Sequence, residues 1–200
     1  MPIVLSRRNA LLGVSALLVL AGCQNTPPAR PTFPQLTFTH LGQLTFDANK
    51  VEVVNEYVPP LKRPNVEHEM PLAPAAAAQR WAADRIHAAG TANRTVRVII
   101  KNASVIETDL RKTPGLRGAF TTDQSEQYDA TLEMTVELVN GRGFRDGFAS
   151  ATVRRSRTVP EDMTVNDRDK VYFAMVEGLM VDLNNELTRN ISQFMGLYLR

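Results

Sequence analysis

One long stripe of apolar residues with helical spacing runs through the last part of the chain and constrains the fold more than any other feature. Between Val165 and Met195 the apolar positions share about 120° of arc when each residue turns the helix by about 100°. Thr164, followed by Asp167 three positions later, is a typical helix start. Such a helix is about 45 Å long and needs a large apolar surface to cover it. The apolar positions are Tyr172, Val176, Leu179, Met180, Leu183, Leu187, Ile191 and Phe194, and the polar positions opposite are Glu177, Asn185, Thr188 and Ser192.

The preceding residues predict a sheet as that surface. In YDATLEMTVELV, which begins at Tyr128, apolar and polar residues alternate as in a strand that is buried on one face and wet on the other. GFASATVRRSRTV follows as a second strand, after a hairpin loop that begins at Asn140. TVRVIIKNASVIET alternates until Asn102, where the pattern slips and predicts a bulge at Lys101–Ala103.

The amino-terminal half predicts two more strands and a short helix. QLTFTHLGQLTF and KVEVVNEYV have strand-like alternation, and the turn at Asp47–Lys50 can join them as a hairpin. A helix is predicted from Pro74, which suits a first turn, to Ala89, with Gly90 just past its end. The proline-rich residues Tyr57–Pro74 have neither period and predict an ordered, extended crossing over the domain surface. The small-residue face of the predicted helix is Ala78, Trp81, Ala82, Ile86 and Ala89.

Together these elements predict one α+β domain that spans residues 35–200. We expect an antiparallel sheet of four or five strands, with the short helix and the long carboxy-terminal helix packed on one face. A chain of 200 residues is long enough to bury a core of its own.

The first residues have the layout of an export signal. Arg7 and Arg8 precede an apolar stretch, Ala10–Ala21, that is shorter than the about 20 residues needed to span a hydrocarbon core. At the end of this stretch, Leu20-Ala21-Gly22-Cys23 resembles the lipobox of bacterial lipoproteins. We therefore expect residues 1–22 to be a lipoprotein signal peptide. Both general secretion and twin-arginine export remain open, although the phenylalanine usual in the twin-arginine motif is absent.

The lipobox resemblance implies a membrane anchor at Cys23, the only cysteine of the chain. It implies diacylglyceryl transfer to the Cys23 sulfur, cleavage before Cys23 and acylation of the new amino terminus. Gln24 stands where aspartate would favour inner-membrane retention in enterobacterial lipoproteins, so the resemblance implies the outer membrane. Residues 23–34 are rich in proline and predict an extended tether, which would leave the domain facing the periplasm.

The charge balance argues against a nucleic-acid partner. The chain has 23 Lys and Arg residues against 21 Asp and Glu residues. Because Arg7 and Arg8 belong to the signal peptide, 21 residues of each sign remain in the mature chain. The mature protein is therefore neutral and lacks the basic excess that nucleic-acid binding requires.

The sequence contains no recognisable catalytic, metal or cofactor motif, so we expect a non-catalytic protein without a cofactor. The three histidines, His40, His68 and His87, have no second His or Cys at metal-ligand spacing. Glu67 and Glu69 flank His68, but consecutive residues of an extended chain point to opposite sides. A solvated polar stretch accounts for these three residues.

Two segments are candidates for docking on another protein. Arg111–Gln127 joins two strands, has neither period and is longer than most loops, and its candidate docking residues are Arg117 and Phe120. The second candidate pair is Arg155 and Arg157. Alternation places Arg155 on the core side of its strand, so we expect it to pair with acids at a sheet end or to face a partner or an anionic headgroup.

The layout of paired strands from Tyr128 to Val159 followed by one long helix is similar to lipoproteins of lipopolysaccharide assembly and to the auxiliary lipoproteins of lipid-transporting ABC systems. VEVVNEYVPPLKRPNVEH and FTTDQSEQYDA resemble segments of uncharacterised alphaproteobacterial lipoproteins. These resemblances imply an accessory protein of the cell envelope, anchored through acyl chains on Cys23, that docks on an envelope protein in outer-membrane assembly or lipid transport. The alternative is a lipid or small-ligand carrier with a cavity between the long helix and the sheet.

Overall fold

A computed structural model describes residues 31–110, 124–160 and 162–200, and it confirms the predicted α+β class with a short helix and a long carboxy-terminal helix. Cys23, Arg117 and Phe120 lie outside the described residues. The strands are β1 (Leu44–Phe46), β2 (Lys50–Asn55), β3 (Ile86–Ala88), β4 (Arg94–Asp109), β5 (Gln124–Asn140) and β6 (Arg145–Pro160). The helices are α1 (Pro74–Arg85) and α2 (Val165–Met195), and short 3-10 turns occupy Thr39–Leu41 and Gly196–Tyr198.

The main sheet has four strands in the order β2-β4-β5-β6. β4, β5 and β6 are antiparallel neighbours, and the register of β4 shifts between Ile100 and Asn102, which confirms the predicted bulge. β2 is parallel to β4, so the prediction of a purely antiparallel sheet is wrong in this strand. The reason is the connection, because the chain crosses through α1 between β2 and β4, and such a crossover returns a strand in the same direction.

The predicted hairpin at Asp47–Lys50 is also wrong. β1 and β2 belong to different sheets, and β1 instead pairs with β3 in parallel, with Leu44 opposite Ile86. The chain end adds to this small sheet, since Leu199 forms an antiparallel bridge with Phe46. These pairings are non-local, and the local alternation of the sequence carries no information about them.

The short helix begins at Pro74 as predicted but ends at Arg85 rather than Ala89. Ile86–Ala88 form β3, whose backbone pairs with β1. Ala78, Trp81, Ala82 and Ile86 are buried as predicted, whereas Ala89 is exposed. The alanines around His87 favour a helix by propensity, but the strand partner supplies backbone hydrogen bonds that override this preference.

The long helix occupies the predicted residues, Val165–Met195, and its predicted cap is present. The backbone N–H of Asp167 donates to Oγ1 of Thr164 at 3.2 Å. Seven of the eight predicted apolar positions are buried against the sheet, and Phe194 is the exception, with 61% of its surface exposed. Phe194 lies in the last turn of α2, beside the edge of the sheet rather than beneath it, and lines a surface groove there.

The proline-rich residues 57–73, here called the strap, form the predicted ordered crossing. Val66 and Met70 of the strap are buried in the core, and Asn65 forms an antiparallel bridge with Ile106 of β4. Both helices lie on the same side of the sheet, where Nε1 of Trp81 donates to Oδ1 of Asn184 at 3.0 Å. Neither helix of the described residues combines the length and the hydropathy needed to cross a bilayer.

Candidate functional site

β6 carries both candidate docking residues that the structure describes, Arg155 and Arg157, and it is an edge strand of the main sheet. Fifteen of its sixteen residues pair with β5 on one side, and no described element pairs with the other side. Exposed backbone groups along an edge are able to bind a further strand. We therefore take the outer edge of β6 and its flanks as the candidate site.

The direction of the β6 backbone groups follows from one hydrogen bond. The carbonyl oxygen of Ser150 accepts from Nδ2 of Asn190 in α2 at 2.8 Å, so it points away from β5. In an antiparallel pair, residues whose backbone groups point outward alternate with residues that bond to the neighbouring strand. The regular register between β5 and β6 extends this alternation along the strand. The residues with outward N–H and C=O groups are Phe148, Ser150, Thr152, Arg154, Ser156 and Thr158.

Arg155 is on the core side of β6 as predicted, and an ion pair accounts for it. Its Nε and Nη2 donate to Oδ2 and Oδ1 of Asp182 in α2 at 2.7 and 3.0 Å. These hydrogen bonds to Asp182 raise the pKa of Arg155. A Cβ on Gly178 would stand 2.6 Å from Nη1 of Arg155, so only glycine lets the guanidinium lie over the helix at this point. Arg155 thus fastens α2 to the edge strand.

Arg157 and Arg154 are the two β6 arginines that remain available. Both are exposed, and neither forms an ion pair with a described residue. Arg154 lies on the outer face of the sheet opposite Thr131, and Asp129 and Glu133 lie two residues away from Thr131 on β5. Exposed cations without an ion pair among the described residues are able to pair with an incoming anion, and each such exposed pair contributes up to about 1 kcal/mol.

A groove of about 630 Å³ flanks the first half of the edge. It is lined by residues 145–150 of β6 and by Asn190 and Phe194 of α2. Phe148 is 48% exposed on the outer face of the sheet, and Phe194 is 61% exposed on the helix side. The guanidinium of Arg145 lies 4.2 Å from the centre of the Phe148 ring and pairs with Glu137 at 2.9 Å. Two exposed aromatic side chains therefore stand on either side of the strand.

The sequence patterns did not identify Phe148 or Phe194 as docking residues. One signal was present, because Phe148 is an aromatic residue on the polar side of the β6 alternation, where Ser150 and Thr152 follow it. Phe194 falls within the apolar stripe of α2, so its position predicts burial. The exposure of Phe194 depends on where the sheet ends relative to the helix, and that is a tertiary property.

A second group of polar side chains lies where the strap meets β4. The prediction of a solvated stretch is wrong for Glu67, which is 3% exposed. Its carboxylate accepts from the Tyr57 hydroxyl at 2.6 Å and from the backbone N–H of Val105 at 3.1 Å. Glu107 is also buried and pairs with Arg63 of the strap. Burial raises the pKa of Glu107, although the Arg63 charge opposes this effect. The Tyr57–Glu67 contact lies within the strap, and the contacts of Glu67 with Val105 and of Arg63 with Glu107 join the strap to β4, so this group has a structural role.

The remaining polar residues show no arrangement for metal chemistry. The described residues bring together no group of three potential ligands among His, Cys, Asp and Glu. His68 contacts Glu69 at 3.8 Å, and His40 is exposed on a 3-10 turn. The buried Arg85 donates to the carbonyl oxygens of Leu41 and Gly42 and thereby holds the amino-terminal segment against α1.

Comparisons with known proteins find only distant structural similarity. Neither a protein-family model nor a curated protein matches this chain. A minor lipoprotein from Acinetobacter baumannii matches in structure with 15% identity and a TM-score of 0.35, over 75% of this chain and 93% of that one. A Xanthomonas campestris protein of the DUF330 family matches with 11% identity and a TM-score of 0.35, over 82% and 94%. The PelC dodecamer from Paraburkholderia phytofirmans matches with 18% identity and a TM-score of 0.23, over 71% and 91%.

Proposed function

We propose that this chain is a non-catalytic accessory lipoprotein of the outer membrane that faces the periplasm and docks on an envelope protein in outer-membrane assembly or lipid transport. The observation that carries the docking role is the outer edge of β6, which is sixteen residues long, lacks a neighbouring strand among the described residues and is flanked by an aromatic groove. The lipobox-like residues that end in Cys23 carry the anchoring role.

The first described residues of the chain and the groove lie beside opposite halves of α2. Phe33 stacks on Phe173 of α2, with ring centres 4.9 Å apart, so the chain enters the domain beside the first half of α2. Phe194 and the groove lie near the other end of the same helix, about 30 Å farther along at about 1.5 Å per residue.

The alternative, a lipid or small-ligand carrier, would need space between α2 and the sheet. Leu179, Leu183 and Leu187 are fully buried along this seam. Met134, Met175 and Met180, which would suit a pliable pocket, are fully buried as well and pack in the same core. The groove beside β6 lies at the surface and not between α2 and the sheet, which favours docking over carriage.

The anchoring part of the proposal is tested with Cys23→Ser. We expect this variant to accumulate as an unprocessed precursor without acyl chains, because the sulfur is the attachment atom and cleavage follows its modification. Mass spectrometry checks processing and lipid, and density fractionation checks that the wild type travels with outer-membrane markers. A wild type that is processed normally and carries no lipid would exclude the lipoprotein assignment. A wild type among inner-membrane markers would exclude the outer membrane alone.

The docking part is tested by purification of the wild-type chain from detergent after cross-linking in intact envelopes. A docking protein should bring one protein at a fixed stoichiometry, whereas a carrier should bring lipid without a protein. Stoichiometric lipid and no cross-linked protein would favour the carrier.

A further inference from the structure

We infer that the outer edge of β6 binds an extended, acidic segment of the partner protein as a fifth strand, antiparallel to β6. This inference rests on the proposed docking function and adds the binding mode and the chemistry of the partner. Three independent features of the described residues support it: the direction of the backbone groups, the two aromatic side chains beside the edge, and the charge of the strand.

The backbone of β6 supplies the main recognition element. Outward-pointing N–H and C=O groups recur at every second residue from Phe148 to Thr158, and the Ser150 carbonyl already has a partner in Asn190. An added strand would satisfy the others with a regular ladder, as in known cases of strand addition. Such a ladder requires an extended peptide and is insensitive to most side chains, so specificity has to come from the flanks.

The groove supplies part of that specificity. Side chains of an added strand would point alternately toward the outer face of the sheet and toward α2. Phe148 is exposed on the first side and Phe194 on the second, both beside the first half of β6. Apolar side chains of the added strand would therefore contact both rings. In an antiparallel arrangement these apolar residues belong to the carboxy-terminal half of the bound segment.

Charge supplies the rest of the specificity and favours a different protein over a second copy of this chain as the source of the added strand. Between Arg145 and Pro160 the strand has four arginines and one aspartate. Arg145 and Arg155 are paired within the domain, whereas Arg154 and Arg157 have no ion pair among the described residues. A second β6 would bring the same cations to the same edge, and like charges on adjacent strands are unfavourable. An acidic amino-terminal half in the bound segment would pair with Arg154 and Arg157.

The test uses the full chain in detergent and a fluorescein-labelled peptide of about twelve residues, which is long enough to follow the free edge. Valine and threonine alternate in the peptide, two glutamates stand near its amino end, and one phenylalanine stands near its carboxyl end. Fluorescence anisotropy measures its affinity. We expect Thr152→Pro to weaken binding by about tenfold or more, because proline removes an outward N–H and its ring blocks the ladder.

Val53→Pro is the matched control on the opposite edge of the sheet. Glu56 in line with β2 donates its N–H to Ile100 of β4, so by alternation the N–H of Val53 points outward, as that of Thr152 does. Val53→Pro should leave peptide affinity unchanged. A peptide that is N-methylated on the nitrogens facing β6 should lose affinity for the wild type, and this second readout stands even where Thr152→Pro fails to fold. A peptide with lysine in place of glutamate should bind about tenfold more weakly.

Several outcomes would overturn the inference. One is equal affinity of the wild type, Thr152→Pro and Val53→Pro. Another is equal binding of the N-methylated peptide. A third is a wild-type chain that dimerises while Thr152→Pro is monomeric by sedimentation, because a second copy would then occupy the edge.

Photo-cross-linkers at Ser156 and at Asn55 in intact envelopes separate this inference from the proposed function. Capture of the partner through Ser156 and not through Asn55 is expected. Capture through other surface positions but not through Ser156 would overturn the strand-addition mode and leave the docking function standing. Capture from no surface position would instead overturn the docking function itself.

Discussion

The side of β4 that faces away from β5 and the outer side of β6 differ in what covers them. The side of β4 that faces away from β5 is covered first by β2 and then by the strap, which bridges to Ile106 through Asn65. Along the outer side of β6 no described element pairs with the strand, and a single carbonyl, that of Ser150, is bonded to α2. The outer side of β4 is covered over most of its length, and β2 beyond it leaves a free edge of six residues, whereas the free edge of β6 is sixteen residues long.

Beyond the end of β2, the strap bonds to β4 through two backbone hydrogen bonds and one side chain. The N–H of Val66 donates to the carbonyl of Val105, and the N–H of Glu107 donates to the carbonyl of Pro64. Between them, the N–H of Val105 has no backbone acceptor in the strap and donates instead to the Glu67 carboxylate. Buried carboxylates are costly unless they are hydrogen-bonded, so the protein stabilises this closure with a group that is otherwise unfavourable in a core.

The contrast teaches that the open edge is a specific feature and not a general property of this sheet. Natural sheets protect their edges with short strands, prolines and covering segments, and the β2 side has all three. β6 has sixteen residues and no proline before Pro160. Its arginines discourage pairing with a second copy of itself, while they permit pairing with an acidic strand.

The largest expected effect concerns the helix that supports the open edge. Leu183 is fully buried at the centre of the α2 stripe, so Leu183→Ala should lower the free energy of unfolding by about 2–5 kcal/mol. Thermal and denaturant unfolding of the full chain in detergent measure this change. Asn185→Ala, on the exposed side, should change stability by less than about 0.5 kcal/mol. Thr188 is a poorer control, because its hydroxyl accepts from the buried Arg85 at 3.3 Å.

A near-wild-type melting temperature for Leu183→Ala, combined with lost partner capture, would contradict this architecture. α2 would then be a projecting arm that uses its apolar face for binding. β6 would lose the support of α2 along its length, and the comparison between a closed and an open edge would have no basis.

The second expected effect concerns the closed edge. Glu67→Ala leaves the buried N–H of Val105 and the hydroxyl of Tyr57 without their acceptor, so it should destabilise the protein by about 1–3 kcal/mol. Glu69→Ala, two residues along the strap and exposed, should stay within about 0.5 kcal/mol of the wild type. Hydrogen exchange of the Val105 amide provides a local readout and should accelerate in Glu67→Ala alone. Equal stability of the two variants would show that the carboxylate does not hold the strap.

The sequence was sufficient to predict the features that depend on local spacing. The bounds of α2 and its cap at Thr164 follow from a period of 3.6 that persists over the whole element, and the bulge before Asn102 follows from a slip in a period of two. The parallel pairing of β2 and the strand Ile86–Ala88 could not be predicted in this way. Both depend on which distant segment lies alongside, and that choice is made by the crossover through α1.

The candidate site was predictable only in part for the same reason. Alternation placed Arg155 on the core side of its strand, but its partner Asp182 depends on the register between α2 and β6, which no local pattern encodes. The edge position of β6 is a property of strand order, and an edge strand and a central strand with one wet face have the same alternation. Recognition of the groove between Phe148 and Phe194 therefore required the tertiary structure.

The smallest expected effect is a pH dependence on the closed side. Burial raises the pKa of Glu107 against the opposing charge of Arg63, and Glu69, Glu126 and Arg168 also act on it. A carboxyl whose pKa is higher in the folded than in the unfolded state binds its proton more tightly when folded. The free energy of unfolding should therefore rise as the pH falls from the raised folded pKa of Glu107 to its unfolded pKa of about 4.5. Above the folded pKa, Glu107 is charged and the full penalty of burying its charge is present. Glu107→Gln should flatten this slope, and Glu69→Gln should retain most of it, because the Glu69 charge makes the smallest contribution to the raised pKa of Glu107. Melting temperatures of the three proteins between neutral and mildly acidic pH test this, and a Glu107→Gln curve parallel to that of the wild type would show that burial does not raise the pKa of Glu107.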